Sequence, residues 1–318
     1  MKKLKVLFLG CNKMQVPYLR EIKKLGFTIV ATDMNPEAPG RKLADRFYPV
    51  SYEDKDELIE IGKKEGFSRE DRVFTAASQF AHIGAAHFAS YFGINYIPRR
   101  TVQICLDKFL FYKTLEENII PFPKTYYCFS RDDIERIIKE NRNVSENWYI
   151  KSDYGKSPWY VYHVKNLKLP DISFKKDRYL RKGYVVQEEI LGRHVRVVFF
   201  SDQFIYFIHQ MGKMFFCTNF LDFFQVRIEE KLRNLIEKLK LKDRFVKFDL
   251  ILNKQKYFVL DIGIDPPQRL RVLCNYLKWN FFKNYSLYCL GLGGKFPSIQ
   301  ELVSSKVLVS ARKIKRLS

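Results

Sequence analysis

The chain has 318 residues with a formal net charge of +21, and 47% of its residues are hydrophobic. This apolar content excludes an intrinsically disordered chain, and the length allows two or three domains with a substantial core. Charged residues interrupt every long apolar run, which argues against a membrane-spanning helix. The six cysteines include no closely spaced pair, which favours free thiols in a cytoplasmic protein over a zinc site.

Residues 1 to 98 alternate three predicted strands with three predicted helices. The strands contain KVLFLG, FTIVATD and RVFTAA, and the helices contain MQVPYLREIKKLG, DKDELIEIGKKEG and AHIGAAHFASYFG. This rhythm predicts a parallel α/β sheet whose ligands bind at the carboxyl ends of the strands. The turn GCNKMQ lacks the glycine fingerprint of a dinucleotide site, so Asp33 after the second strand is interpreted as a turn acid rather than a ribose ligand.

The segment NWYIKSDYGKSPWYVYHV contains Gly155-Lys156-Ser157, the three residues that end a P-loop. A P-loop is excluded, because Ile150 stands where its first glycine belongs and a strand-forming segment follows where it needs a helix. The segment instead predicts a strand that ends in Lys151, a polar turn with one glycine, and a returning strand.

Polar residues also interrupt the apolar segment VVQEEILG. Gln187, Glu188 and Glu189 lie there between two predicted buried strands. They indicate either a hinge whose backbone meets a ligand or an ordinary exposed connector. The next strand pair is predicted to turn at Ser201-Asp202, and IEEKLRNLIEKLK predicts a helix after it.

The segment RFVKFDLILNKQKYFVLDIGIDPP predicts a hairpin with its turn at Asn253-Lys254. Asp249 and Asp261 lie twelve residues apart on its two strands, so antiparallel pairing would place them near each other. Two adjacent carboxylates repel, which favours a bound cation such as Mg²⁺ carried by a phosphate ligand. The alternative is that one is a surface acid and the other caps the following turn.

The order of these features resembles that of the ATP-grasp superfamily of carboxylate–amine and carboxylate–thiol ligases. Lys108 at a helix start, Lys151 and Gly155 around a turn, the hinge and the two-acid hairpin follow one another over nearly the whole chain. The resemblance is to the branch of biotin carboxylase, carbamoyl-phosphate synthetase and the purine ligases. It implies a Rossmann-like parallel α/β domain followed by two α+β lobes whose antiparallel sheets clamp ATP. The implied units are residues 1–98 (first domain), 99–124 (linker helix region), 125–185 (small lid lobe) and 186–318 (large lobe).

By this resemblance the cofactors are ATP and Mg²⁺ or Mn²⁺. Lys108 and Lys151 would neutralise the α- and β-phosphates, and Asp249 and Asp261 would hold the metal between the β- and γ-phosphates. The remaining implied nucleotide-binding residues are Gly155, Lys156 and Ser157 in a flexible phosphate loop, Gln187, Glu188, Glu189 and Ile190 in the adenine hinge, and His194 in place of a ribose-binding acid.

The implied reaction activates a carboxylate as an acyl phosphate and joins it to an amine or similar nucleophile. Lys247 matches an arginine that some members use on the transferred phosphoryl group. Arg269 would hold the substrate carboxylate bidentately or, alternatively, form a surface salt bridge. The predicted partners are therefore a small-molecule acid and amine, with no membrane partner. A homodimer is the commonest soluble assembly, and the sequence leaves the oligomeric state open.

The sequence departs from the family pattern in the hairpin and in the turn. Asp261 stands where the family usually has Glu, Gly263 where it has Asn, and Trp159 where the loop often has a second glycine. Asp265 is the nearest substitute for the missing ligand. An active ligase, a non-catalytic nucleotide-binding member and a basic nucleic-acid-binding protein therefore all remain open, although no nucleic-acid motif accompanies the charge.

Overall fold

The structure is a computed structural model with three β-sheets. It describes residues 3–155, 161–169, 183–200, 203–211, 213–218, 225–254, 256–305, 307–310 and 312–316. Among these residues, no helix has the length and apolar character that a membrane span requires.

The first sheet has four parallel strands, in the order β3-β2-β1-β4. Its elements are β1 (Lys5–Leu9), α1 (Val16–Lys24), β2 (Thr28–Thr32), a 3₁₀ helix (Arg41–Leu43), β3 (Arg46–Tyr48), α2 (Lys55–Lys64), β4 (Arg72–Thr75) and α3 (Ala81–Phe92). The prediction of a parallel α/β sheet is confirmed. The sequence analysis missed β3, because three residues with partly exposed side chains on a sheet edge carry no readable period.

Local sequence explains how these elements begin and end. Helix α1 has Pro17 in its first turn, and the glycine after it, Gly26, adopts φ +85°. The Asp33 carboxylate accepts hydrogen bonds from the N–H groups of Cys11 (2.6 Å) and Asn35 (2.9 Å), which agrees with its interpretation as a turn acid.

Two helices, α4 (Arg99–Leu106) and α5 (Lys108–Glu117), lead from the first sheet to the second. The backbone is extended at Asp107, so the two helices are separate, and the Asp107 carboxylate caps α5 by accepting the N–H of Leu110 at 3.0 Å. This cap fixes Lys108 at the first position of α5.

The second sheet is antiparallel and has the order β5-β8-β6-β7. Its elements are β5 (Thr125–Cys128), α6 (Arg131–Glu140), β6 (Trp148–Ser152), β7 (Val161–Val164) and β8 (Tyr184–Glu188). Ile134 and Ile138 of α6 pack on Trp148 and Val186, so one face of this sheet is covered and the face that carries Lys151 is not part of that core.

The third sheet is also antiparallel and has the order β13-β12-β9-β10-β11-β14-β15. The predicted turn at Ser201-Asp202 lies outside the described residues. The predicted hairpin is observed, but Asn253 still belongs to β12 and pairs with Lys256, so the turn begins at Lys254, at φ +49°. The elements are β9 (Arg193–Phe200), β10 (Gln203–Met211), β11 (Met214–Thr218), α7 (Gln225–Lys238), β12 (Val246–Asn253), β13 (Lys256–Gly263), α8 (Gln268–Tyr276), α9 (Phe281–Cys289), α10 (Ile299–Ser304), β14 (Val307–Val309) and β15 (Ile314–Arg316).

The third sheet is buried on both faces along much of its length. Val195 and Val197 of β9 belong to the core that includes α5 and α7, whereas Val198 and Phe200 belong to the core that includes α1, α8 and α9. Because side chains alternate along a strand, Arg196 and His194 lie on the same face as Val198. That face continues beyond the apolar core into a charged end, which is where the candidate site lies.

Candidate functional site

Lys151 on β6 is the first of the predicted residues that the structure brings into a cluster. Its Nζ donates a hydrogen bond of 2.6 Å to Oε1 of Gln187, which is 1% exposed on the neighbouring strand β8. The Lys151 pKa is lowered to about 8, mainly by burial; Asp261 and Asp249 raise it, and the charge of Lys108 lowers it. Lys151, Lys108 and both hairpin acids therefore lie within electrostatic range of one another.

Gln187 is held by a network that joins the second sheet to the hairpin. Its Nε2 donates to Oγ1 of Thr125 at 2.7 Å, and its Oε1 lies 3.2 Å from the hydroxyl of Tyr112. That hydroxyl donates to the carbonyl of Leu260, on β13, at 2.7 Å. Tyr112, which the sequence analysis did not single out, therefore links β8, the strand beside that of Lys151, to the strand of Asp261.

The turn after β6 is fastened to the start of α5. The N–H of Lys108 donates to the carbonyl of Asp153 at 2.8 Å, and Nζ of Lys108 donates to the carbonyl of Gly155 at 2.5 Å. Gly155 has φ +76°, and a Cβ there would lie 2.4 Å from Cζ of Phe80, so the position requires glycine. The structure thus brings Lys108 and Gly155 together, while Lys156 and Ser157 lie outside the described residues.

The predicted hinge is braced by its own glutamates. The Glu188 carboxylate accepts the N–H of Lys124 at 2.8 Å, and the Glu188 N–H donates to the Lys124 carbonyl at 3.1 Å. Glu189 accepts a hydrogen bond from the Tyr149 hydroxyl at 3.3 Å and lies 3.1 Å from Nε2 of His163. These two carboxylates therefore stabilise the connector.

Asp249 and Asp261 are direct cross-strand partners between β12 and β13, and the register shifts by one residue immediately beside them. Such bulges reorient side chains and often lie next to active sites. Nε and Nη2 of Arg196 donate to the two oxygens of Asp249, both at 2.6 Å, and Nε2 of His194 lies 3.5 Å from the same carboxylate. The predicted pairing of the acids is observed, and His194 lies beside the acid pair.

Arg196 is a site residue that the sequence analysis missed. It lies directly opposite Asp249 in the β9–β12 ladder, and its side chain is 28% exposed. Burial alone would lower its pKa, but the Asp249 carboxylate raises it above the ordinary value. The signal that would have found it is a single charge inside the apolar run VRVVFF, the same kind of interruption that drew attention to Asp249.

Lys247 and Arg269 complete the basic side of the cluster. Nζ of Lys247 forms an ion pair with Asp265 at 2.6 Å. The Arg269 guanidinium lies over the Phe215 ring, 3.7 Å from its centroid, and burial together with the charge of Arg196 lowers its pKa to about 10. Its Nε is buried without a hydrogen-bond partner, and Arg269 forms no ion pair with any residue in the described ranges. The surface salt bridge considered as its alternative role is therefore not observed.

The resulting cluster has more basic than acidic groups. This excess of positive charge suits a polyanionic ligand such as a triphosphate. Its members are the cations Lys108, Lys151, Arg196, Lys247 and Arg269 and the carboxylates Asp249, Asp261 and Asp265.

The donor set can be tested against Mg²⁺. Two carboxylates side by side on neighbouring strands supply hard oxygen ligands of the type Mg²⁺ uses together with substrate phosphates. No group of three or more His, Cys, Asp or Glu side chains within the described ranges could hold a metal ion without such a partner. The chemistry of the pair fits a metal that arrives with a nucleotide, and a metal at Asp249 would compete with the Arg196 guanidinium.

Comparison with known proteins identifies the fold. No protein-family model matches the chain. A curated relative, the formate-dependent phosphoribosylglycinamide formyltransferase of Prochlorococcus marinus (strain MIT 9515), is 30% identical over 105 residues, which cover 33% of this chain and 26% of that protein. The matched segment thus spans about a quarter of that relative.

Solved structures match over almost the whole chain. L-amino acid ligase from Bacillus licheniformis has 17% identity and a TM-score of 0.65, covering 91% of this chain and 75% of that one. N5-carboxyaminoimidazole synthetase from Staphylococcus aureus, complexed with ADP, has 13% identity and a TM-score of 0.68, covering 93% and 80%. The biotin carboxylase domain of Hydrogenobacter thermophilus 2-oxoglutarate carboxylase, with MgADP and bicarbonate, has 10% identity and a TM-score of 0.66, covering 94% and 71%. The resemblance stated from the sequence is confirmed: the chain has the α/β fold of the ATP-grasp ligases.

Proposed function

We propose that this protein is an ADP-forming ligase that activates a carboxylate with ATP and joins it to an amine or similar nucleophile. The observation that carries the proposal is the cluster in which Lys151 of the second sheet lies within electrostatic range of Asp249 and Asp261 of the third, where Asp249 also binds Arg196. Structurally similar proteins that bind ADP or MgADP, and one that ligates L-amino acids, support the same conclusion. The similarity to the fold of ATP-dependent ligases holds whichever acid or amine the protein uses.

In the proposed complex, ATP lies between the second and third sheets. Lys108 and Lys151 bind the α- and β-phosphates, and the turn around Gly155 closes over them. The Glu188 carbonyl and the Ile190 N–H meet the adenine edge. The carboxylates of Glu188 and Glu189 are bound to Lys124 and Tyr149, which holds the connector in place for this contact. Asp249 and Asp261 would hold Mg²⁺, which would supply positive charge to offset that of the β- and γ-phosphates.

The chain's own residues would orient the reacting groups. Arg269 binds the substrate carboxylate bidentately, and Lys247 stabilises the charge that develops on the transferred phosphoryl group. A carboxylate oxygen attacks the γ-phosphorus, the bond to the β–γ bridging oxygen breaks, and ADP leaves. The amine nitrogen then attacks the acyl carbon and loses a proton as inorganic phosphate departs. Positioning and electrostatics supply most of the rate enhancement in such a reaction.

The first test is nucleotide binding, measured as the melting temperature with and without ATP and Mg²⁺. A ligand at 100 times its Kd adds about 2.7 kcal/mol of stability. We expect a Mg²⁺-dependent increase that Asp261→Asn loses and that Asp243→Asn, the same change at an exposed acid before β12, retains. Absence of any ATP-dependent shift in the wild type would refute the proposed nucleotide site.

Turnover is tested with hydroxylamine, which replaces the unknown amine and traps an acyl phosphate as a hydroxamate. We expect one or more acids in a panel of carboxylates to give ATP-dependent hydroxamate and ADP in equal amounts. Arg269→Gln should raise the KM for that acid without changing the ATP-dependent melting shift, because Arg269 is proposed to touch the acid and not the nucleotide.

A nucleotide-binding protein without turnover is the second candidate function. One observation favours it: Asp265, the nearest replacement for the missing amide at Gly263, is paired with Lys247 at 2.6 Å. This candidate predicts the same melting shift with ATP and no hydroxamate with any acid. The two assays together therefore separate the two functions.

A further inference from the structure

A cavity of about 640 Å³ lies beside the first sheet, away from the two carboxylates of the hairpin. It opens where the segments after β2 and β3, the first half of α3, the start of α4 and Tyr154 come together. The segments that follow parallel strands are where α/β sheets bind ligands, and the volume is in the range of small-molecule sites. The proposed function assigns no role to this cavity.

The lining of the cavity includes three basic side chains. Lys55, His87 and Arg99 line it together with a single carboxylate, Glu53. Neither Lys55 nor Arg99 forms an ion pair with any residue in the described part of the chain. Burial and then the charges of Arg99 and Lys55 lower the pKa of His87, so the three groups are close enough to interact. Nδ1 of His87 is buried without a hydrogen-bond partner.

The lining also includes aromatic and branched aliphatic side chains. The rings of Phe80 and Tyr154 lie 5.8 Å apart between centroids, and Ile83, Ala86 and Val102 continue the same wall. Flat rings and branched aliphatic side chains favour a ligand with a flat apolar body. The cavity thus offers both cations for an anionic group and an apolar surface for a ring.

The aromatic wall is shared with the proposed phosphate turn. Tyr154 directly precedes Gly155, and Phe80 is the side chain that excludes a Cβ at Gly155. The N–H of Gly155 donates to the carbonyl of Leu106 at 2.8 Å, and Asp107 forms a β-bridge with Tyr154. An occupant of the cavity would therefore press on the segment that Lys108 fastens, which would couple it to nucleotide binding.

We propose that this cavity binds one substrate of the ligase, a small molecule with an aromatic or similarly flat body and an anionic group that Arg99 and Lys55 recognise. The proposal deepens the proposed function and rests on it for the word substrate, but the binding itself does not depend on turnover. The anionic group is a carboxylate or a phosphate monoester, and both satisfy the same basic residues.

The test is calorimetric titration with three probes that share a ring, namely phenyl phosphate, phenylacetate and benzyl alcohol. We expect one or both anions to bind the wild type and the neutral alcohol to bind at least tenfold more weakly. Arg99→Gln should weaken the anion at least tenfold. Arg100→Gln, the same change at the next residue of α4 and outside the cavity lining, should leave the affinity unchanged. A stronger response to phenyl phosphate or to phenylacetate distinguishes the two sources of charge.

One further variant assigns the binding to this cavity. Lys151→Gln should leave the probe's affinity unchanged, because Lys151 lies in the nucleotide cluster. Loss of binding in Lys151→Gln, equal affinities in Arg99→Gln and Arg100→Gln, or absence of anion binding in the wild type would each overturn the proposal. If Arg99→Gln no longer binds the probe and the wild type shows no ATP-dependent melting shift, the cavity proposal is supported and the ligase proposal is refuted. If ATP binds normally and Arg99→Gln retains the probe, the cavity proposal alone fails.

Discussion

The two sides of the charged cluster hold their cations in different ways. On the second sheet, Lys151 is held by the neutral amide oxygen of Gln187, and burial lowers its pKa to about 8. On the third sheet, both oxygens of the Asp249 carboxylate hold Arg196, and that carboxylate raises the pKa of Arg196. Lys151 thus has no carboxylate at hydrogen-bond distance on β6 or β8, whereas the charge of Arg196 is neutralised by Asp249.

This difference predicts that Lys151 contributes mainly to ligand binding, whereas the pair of Arg196 and Asp249 contributes mainly to the stability of the fold. A buried cation without an adjacent acid costs stability in the free protein, and an incoming anion relieves that cost. A bidentate ion pair already satisfies both partners, so removing one leaves the other buried and unpaired. We therefore expect substitutions at Asp249 to act mainly on folding and substitutions at Lys151 to act mainly on nucleotide affinity.

The largest expected effect is the loss of the bidentate pair. Asp249→Asn should lower the free energy of unfolding by about 2–3 kcal/mol, since Arg196 then lies largely buried beside a neutral amide. Urea denaturation measures this, and Asp243→Asn, an exposed acid, should change stability by no more than about 0.5 kcal/mol. Equal effects of the two substitutions would show that the pair contributes nothing to folding.

A double-mutant cycle sharpens the same prediction. If Arg196→Gln, Asp249→Asn and the combination are compared, the coupling between the two sites should be about 1–3 kcal/mol. Additive effects would mean that each side chain acts through other partners. Because Arg196 competes for the carboxylate, Arg196→Gln should also strengthen Mn²⁺ binding in the presence of ADP, measured by electron paramagnetic resonance.

The next effect concerns Lys151, on the opposite side of the comparison. Lys151→Met should weaken ATP binding by about 2 kcal/mol, or roughly 30-fold, because charge-assisted hydrogen bonds to phosphate are lost. Its stability without nucleotide should be equal to or higher than that of wild type. The matched control is Lys139→Met at an exposed lysine of α6, which should leave ATP affinity unchanged. A loss of folding together with a loss of ATP binding would assign Lys151 a structural role instead.

The sequence analysis found the residues that break an apolar strand where the family resemblance already expected a charge. Lys151, Asp249 and Asp261 have this property, and the cross-strand register of the two acids followed from the short turn between their strands. Arg196 breaks its strand in the same way, but no expected role drew attention to it. The parallel sheet was predictable because its strands alternate with helices, and the two antiparallel sheets followed from the family resemblance. The three-residue strands β3, β14 and β15 were not predicted.

Residues whose role depends on distant partners were not predictable from local pattern. Tyr112 lies in the segment FLFYKTL, where an aromatic side chain is an ordinary core residue of α5. Its hydroxyl partners are 75 and 148 residues away along the chain. The cavity beside the first sheet is similar, since five separate segments of the chain supply its walls. Such sites exist only once the tertiary fold has formed.

The pH dependence of the protein gives a third and smaller effect. Because burial lowers the Lys151 pKa from 10.5 to about 8, the unfolded chain binds more protons at this group between pH 8 and 10.5. Stability should therefore rise with pH across that window in wild type relative to Lys151→Met. ATP affinity should move in the opposite direction and fall about tenfold per pH unit once the ammonium group loses its proton.

Lys151→Arg separates these two slopes, because arginine keeps its charge throughout the window. The wild-type minus Lys151→Met difference in unfolding free energy, measured at pH 7, 9 and 10, tests the first slope. Titration of ATP into wild type and Lys151→Arg at the same pH values tests the second. Identical pH profiles of ATP affinity in the two proteins would show that Lys151 does not carry the relevant proton.

The smallest expected effect concerns Tyr112, whose hydroxyl connects the second sheet to the hairpin of the third sheet. Tyr112→Phe removes the hydroxyl that donates to the Leu260 carbonyl and lies 3.2 Å from Gln187, which should cost about 1 kcal/mol of stability. Tyr91→Phe, at a tyrosine that is 56% exposed, is the matched control and should change stability by no more than about 0.5 kcal/mol.

Because Gln187 also holds Lys151, the Tyr112 hydroxyl should matter for ATP binding as well as for folding. A measurable loss of ATP affinity in Tyr112→Phe, absent from Tyr91→Phe, would show that the hairpin and the lysine strand act as one site. Loss of stability with unchanged ATP affinity would instead confine Tyr112 to packing between the sheets.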